Sequence, residues 1–136
     1  MAETCSGSQA LILNMVGFFR ELEHGDDEAS SLLESVGDKN LENEKEIVGY
    51  LKSGTVLHIT PGLVQDMMEP SRNSIIDSLY TLTDGVWCWP SDLPYYVETY
   101  HVKMPDLFLF HMKSCNWQPA TNINLDSLED VTPVFF

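Results

Sequence analysis

The side chains of this sequence that could bind a metal or act in catalysis are four histidines and three cysteines, and they are widely spaced. His111 and Cys115 lie four positions apart in a segment with helical spacing, so both would share one helix face and could supply two zinc ligands. A structural zinc ion usually takes about four ligands, and the turn before this helix would have to bring His101 close. The alternative is an inner helix face that includes a thiol, with a histidine at its edge. We therefore expect no metal and no cofactor.

The sequence also lacks the short motifs that usually mark catalysis. It contains no glycine-rich phosphate loop, no nucleophile elbow, no His-Glu-x-x-His and no Cys-x-x-Cys. Cys5, Cys88 and Cys115 are an odd number without paired spacing, which argues against a disulfide framework and is typical of a reducing compartment. We interpret them as buried or inert thiols and expect a protein that is not an enzyme.

The stretch TDGVWCWPSDLPYYVETY, residues 83–100, contains two tryptophans and three tyrosines. Such rings can stack nucleic-acid bases, but the charged side chains of the stretch are all acidic, which excludes phosphate binding. Two interpretations remain open. The rings form a core between a hairpin and a helix, or one or two of them, Trp87 or Tyr95, stay exposed as anchors for a protein partner.

Acidic residues are concentrated between Glu21 and Glu46, where ten acids and two lysines leave a local charge of −8. The pattern is typical either of a solvated face or of a negative surface that meets a basic protein. Our candidate partner-binding residues are Glu21, Glu23, Asp26, Asp27, Glu28, Glu34, Trp87, Asp92 and Tyr95.

Hydrophobic periodicity predicts helices in the first part of the chain. Apolar residues recur at helical spacing from Ser8 to His24, and a shorter helix is expected in DDEASSLLESVG, with its acids in the first turn. NLENEKEIVGYLKSG predicts a third helix that ends at Gly54. The run TVLHIT predicts a short strand ended by Pro61, and residues 61–80 are expected to mix loop and helix.

The second half has sharper local signals. Asp84-Gly85 between two β-prone runs predicts a tight hairpin, with Trp87 and Trp89 on the same face of the second strand. SDLPYYVETYH predicts a helix to about Tyr100, and Pro105 begins a last helix. We expect an α+β fold, mostly helical, with a small β-hairpin or sheet. Residues 1–117 would form one domain, and residues 118–136 a tail that is docked or flexible.

Size and charge limit the functions to consider. The chain has 136 residues with 21 acidic and 7 basic side chains, a net charge of −14, which opposes binding to nucleic acid and to anionic membranes. The N-terminus lacks a basic segment before its apolar run, and no apolar run approaches the roughly 20 residues of a membrane span. We expect a soluble, cytoplasmic protein of unknown oligomeric state.

The segment LTDGVWCWPSDLPYYVETYHVKMPDLFLFHMKSCNW, Leu82–Trp117, resembles small bacterial proteins of the immunity-protein type encoded beside polymorphic or type VI secretion toxin effectors. The shared pattern is Leu-Thr-Asp-Gly, Trp-x-Trp-Pro and Asp-Leu-x-Tyr-Tyr-Val, and it extends upstream through IVGYLKSGTVLHITPGLVQDMMEP. Met104-Pro105 stands where the pattern has Leu-Pro.

The resemblance implies a protein that binds a cognate antibacterial toxin with a basic surface and neutralises it by covering or plugging the active site. No catalytic residue comes with it. The alternatives are an adaptor or chaperone for a secreted effector and a small metal-dependent enzyme.

Overall fold

The computed structural model describes residues 12–69, 71, 74–128 and 132–136. The strands are β1 (Ile12–Met15), β2 (Thr55–Gln65), β3 (Ile75–Thr83), β4 (Trp87–Pro90) and β5 (Thr132–Phe135). The helices are α1 (Leu32–Ser35), α2 (Glu44–Lys52), α3 (Leu93–Tyr100) and α4 (Asp106–Ser114), followed by a 3-10 turn at Leu125–Leu128.

The five strands form one mixed sheet in the order β2-β3-β4-β1-β5. β2, β3 and β4 are antiparallel neighbours, whereas β1 is parallel to both β4 and β5. The expectation of a mostly helical fold is therefore wrong: the fold is α+β, but a five-stranded sheet organises it. β1 lies between two strands contributed by distant parts of the chain, and sequence-local patterns do not reveal such partners.

The helix expected from Ser8 to His24 is the main error within the described residues. Residues 12–15 form β1, the chain then continues through turns to residue 24, and residues 8–11 lie outside the described residues. Gly17 has a φ of 85°, which ends any helical path directly after Val16. A short apolar run that is covered on both faces of a sheet is hard to distinguish from a buried helix by periodicity.

The later helices agree with expectation. α2, α3 and α4 occupy the predicted segments, with a proline in the first turn of α3 and Pro105 directly before α4. α1 is shorter than predicted, and its cap is the hydroxyl of Ser31, which accepts a hydrogen bond from the backbone N of Glu34. The acids of residues 26–28 lie in the turns before this helix and not in its first turn.

Residues 61–80 contain no α-helix among the described positions and lie mostly in strands β2 and β3, contrary to the mixed loop and helix that we expected. β2 continues through Pro61 to Gln65 because its pairing with β3 is interrupted between Ile59 and Leu63, where the ladder needs no hydrogen bond from the proline nitrogen. The hairpin at Asp84-Gly85 is confirmed, and Gly85 has the positive φ, 96°, that such a turn requires.

Consecutive residues of β4 show which side chains cover each face of the sheet. Trp87 and Trp89 both pack on Phe108 of α4, with ring centroids 4.7 and 5.6 Å apart, so their shared face is confirmed. Cys88 points the other way and packs with Leu13 and Leu128. The main core lies between the sheet and helices α2, α3 and α4, and the 3-10 turn covers part of the opposite face.

Candidate functional site

The acidic loop, residues 23–28, follows β1 and presents carboxylates to solvent. Glu23, Asp27 and Glu28 are exposed, and within the described part of the chain no cationic group lies within 4.0 Å of them. Asp26 is half-buried and accepts a hydrogen bond of 2.9 Å from the backbone N of Glu28, which stabilises the turn. The described residues therefore leave the negative charge of the loop uncompensated.

Two further acids from the same region have local partners. Glu34 is exposed and lies 3.7 Å from Arg20, which is also exposed, so this pair contributes little to stability. The carboxylate of Glu21 accepts hydrogen bonds from the hydroxyl of Ser31 and from the backbone N of Leu32, the latter at 2.6 Å. Burial would raise the pKa of Glu21, but these bonds outweigh it and hold the pKa below its ordinary value. Glu21 thus organises the start of α1.

The apolar ribbon, formed by β2, β3 and the described residues that join them, exposes large hydrophobic side chains. These are Val56, Ile59, Leu63, Met67 and Ile75, and Ile59 and Leu63 are 73% and 61% exposed. β4 pairs with β3 only at Thr81–Thr83, so most of the hairpin extends past the end of β4. Isolated apolar side chains are common on protein surfaces, but a hairpin that exposes five of them is a candidate contact element.

The acidic loop and the apolar ribbon meet. A cleft of about 350 Å³ is lined by Glu23 and His24 from the loop and by residues 60–64 and Leu79 from the ribbon. Leu63 borders this cleft and is exposed, while the neighbouring Val64 is buried. We call the combination of loop and ribbon the acid–apolar surface. Protein interfaces commonly combine apolar contacts with charges at the edge, so this surface is a candidate for binding.

The remaining candidate residues are less accessible. Trp87 could anchor a partner only if its ring were exposed. It is 4% exposed, so it is not accessible for that role. Asp92 is buried, and its Oδ2 lies 2.9 Å from Nε2 of His24, although the geometry of this contact gives neither atom a hydrogen bond. Tyr95 is half-buried, and its hydroxyl donates a hydrogen bond of 2.6 Å to Asp66. These three residues are part of the folded interior and its border.

Asp66 joins the end of β2 to helix α3 through tyrosines. Its Oδ2 accepts hydrogen bonds of 2.6 Å from both Tyr95 and Tyr100, and Oδ1 accepts one of 2.8 Å from the backbone N of Met68. Burial raises the pKa of Asp66, but the bonds from Tyr100 and Tyr95 outweigh it, so the pKa lies below its ordinary value. The cluster fixes the base of the ribbon.

The histidines and cysteines that could do chemistry form structural contacts. Nε2 of His111 lies 3.2 Å from Asp84 and 3.8 Å from Sγ of Cys115, so one ring nitrogen faces both groups. A catalytic relay needs different nitrogens for the carboxylate and the nucleophile. Cys115 is moreover disulfide-bonded, which corrects our expectation that the cysteines remain thiols outside any disulfide and removes Cys115 as a thiolate ligand.

No group of three or more His, Cys, Asp or Glu side chains could hold a metal ion among the described positions. Across those positions there is also no helix with the length and apolar character needed to cross a membrane. No protein family, curated protein or solved structure matches the chain.

Sequence reasoning missed the apolar ribbon. The signal was present in HITPGLV, whose apolar residues have no regular polar alternation and therefore cannot all face one buried side. It also missed Leu107 and Phe110 of α4, which are 66% and 74% exposed. Phe108 and Met112 of α4 are buried, as is Cys115 directly after it, so Leu107 and Phe110 lie off the core face.

Proposed function

We propose that this chain is an immunity-type binding protein that neutralises a basic protein toxin by covering its active site with the acid–apolar surface. The observation that carries the proposal is the cleft at which the acidic loop meets the apolar ribbon. Exposed carboxylates steer a basic partner and raise its association rate, while apolar side chains supply contact that salt does not screen. Neither part requires chemistry from this chain.

The shape of the ribbon favours contact through side chains. β2 is an edge strand, but it contains Pro61 and its pairing with β3 has three register shifts. Proline and bulges prevent an edge from adding a further strand. A partner would therefore bind the exposed side chains of Ile59 and Leu63 and not the backbone of β2.

Growth and binding measurements test the proposal together. Cells expressing the toxic domain encoded beside this gene should be rescued by this chain, and the purified proteins should associate more slowly as salt is raised. The variant Glu23→Lys/Asp27→Lys/Glu28→Lys should slow association about tenfold or more at low salt, because the steering charge is reversed. The variant Ile59→Ser/Leu63→Ser should instead increase the dissociation rate.

A matched control separates local from overall charge. Asp38→Lys/Glu46→Lys/Asp106→Lys makes the same change in net charge at three exposed positions outside the acid–apolar surface. Equal slowing by both triple variants would contradict a role for the acidic loop. An adaptor for a secreted effector would bind a segment outside the toxic domain, so rescue that fails while the full-length effector still binds would favour that function instead.

A further inference from the structure

A second cleft lies between the start of α2 and helix α4, and it shares no residue with the acid–apolar surface. Its volume is about 410 Å³. Six apolar side chains line it, and these are Leu41, Ile47, Met104, Leu109, Phe110 and Trp117. Small-molecule sites typically occupy roughly 300–1,000 Å³ and combine mostly apolar walls with a few polar groups.

The charged groups that line this cleft are mostly positive, which is unusual in so acidic a protein. Lys103 and Lys113 both line it, and Glu42 is the one acid that does so. The chain has three times as many acidic as basic residues, 21 against 7, yet within the described residues neither lysine lies within 4.0 Å of a carboxylate. Two exposed ammonium groups that have no carboxylate partner among the described residues, beside an apolar wall, are complementary to an anion attached to an apolar group.

We propose that this cleft binds a linear aliphatic carboxylate, with its carboxylate at Lys103 and Lys113 and its chain along the apolar walls. A free inorganic anion would use the lysines but leave the six apolar side chains without contact. A cationic amphiphile would fit the walls but meet two positive charges. The inference is independent of the proposed toxin binding, because the two surfaces have no residue in common.

Tryptophan fluorescence offers a direct test on the purified full chain. Trp117 is half-buried in the cleft wall, whereas Trp87 and Trp89 are 4% and 0% exposed, so a change on adding ligand reports mainly on the cleft. The probe is dodecanoate below its micelle concentration, and dodecylammonium serves as a probe with the same chain and the opposite charge. Dodecanoate should produce a saturable change, and dodecylammonium should bind more weakly.

Two double variants assign the charge effect. Lys103→Gln/Lys113→Gln should weaken dodecanoate binding about tenfold, since two exposed charge contacts are lost. Lys39→Gln/Lys52→Gln removes two exposed lysines outside the cleft and should leave the affinity unchanged. A fluorescence change that does not saturate, equal affinity for the two probes, or equal loss in both double variants would overturn the proposal.

Discussion

The hydroxyl of Tyr50 donates a hydrogen bond of 2.5 Å to Oδ2 of Asp84 and so joins helix α2 to the turn between β3 and β4. The other oxygen of Asp84 accepts hydrogen bonds of 2.9 and 2.7 Å from the backbone N of Val86 and Trp87. Burial, together with the charge of Asp84 and this hydrogen bond, raises the pKa of Tyr50 well above its ordinary value. One buried carboxylate therefore organises both the turn and its contact with the helical layer.

Removal of this carboxylate should strongly destabilise the protein. Asp84→Ala should lower the free energy of unfolding by about 3–5 kcal/mol, because buried polar partners lose their acceptor. Tyr50→Phe should cost about 1.5–3 kcal/mol, the value of one hydrogen bond to a charged group. Urea denaturation measures both, and Glu98→Ala, at an exposed position, is the control. Unfolding of Asp84→Ala at the same urea concentration as this control would contradict a structural role.

The elements that were predicted correctly have local signals. The Asp84-Gly85 turn and the prolines at the starts of α3 and α4 determine the backbone only of residues close to them in sequence, so their effect can be predicted without knowing the fold. β1 and β5 were missed because each is defined by its pairing across more than half of the chain, from Ile12 with Thr132 to Met15 with Phe135. A strand placed by a distant partner has no signature in its own sequence beyond being apolar.

The candidate surface was predictable only in part for a similar reason. The acidic charge of Glu23, Asp27 and Glu28 marked them as surface residues, and all three are exposed. Charged side chains without basic neighbours tend to face solvent. Residue type also suggested Trp87 and Asp92, yet the sheet buries the first and the start of α3 the second. Composition can identify residues suited to an interface, but only packing decides which of them a partner can reach.

Two glycines provide opposite tests of backbone conformation. Gly17 has a φ of 85°, and a Cβ there would lie 2.8 Å from Cδ2 of Leu93. Gly17→Ala should therefore lower the free energy of unfolding by about 1–3 kcal/mol. Gly49 lies within α2 with nothing near its Cβ position, and Gly49→Ala should raise stability by about 0.5–1 kcal/mol. Thermal unfolding of both variants is the measurement. Equal changes of the same sign would contradict the different roles assigned to the backbone at Gly17 and Gly49.

Acid should weaken the contact between the ribbon and α3. The folded-state pKa of Asp66 lies below its ordinary value of 3.8, so its contribution to stability is complete above pH 3.8 and is lost as pH falls through the lower folded value. Asp66→Asn should be less stable than the original chain at neutral pH, and its stability should fall less steeply below pH 3.8. Urea denaturation across this range measures the slopes. Asp106→Asn, at an exposed position, should retain the original slope, and an unchanged slope in Asp66→Asn would contradict the assignment.

The thiol of Cys88 should be unreactive until the protein unfolds. Its side chain is 0% exposed, and burial together with the charge of Asp84 raises its pKa to about 12, despite a hydrogen bond with Thr83 that acts in the opposite direction. Thiolates are the reactive form, so alkylation of the native protein by iodoacetamide at neutral pH should leave Cys88 unmodified. Peptide mass spectrometry locates the modification, and the same reaction in guanidinium gives the reference rate. Modification of native Cys88 at a rate close to this reference would mean that the face of the sheet covered by the 3-10 turn opens readily, and that Leu13 and Leu128 do not shield it.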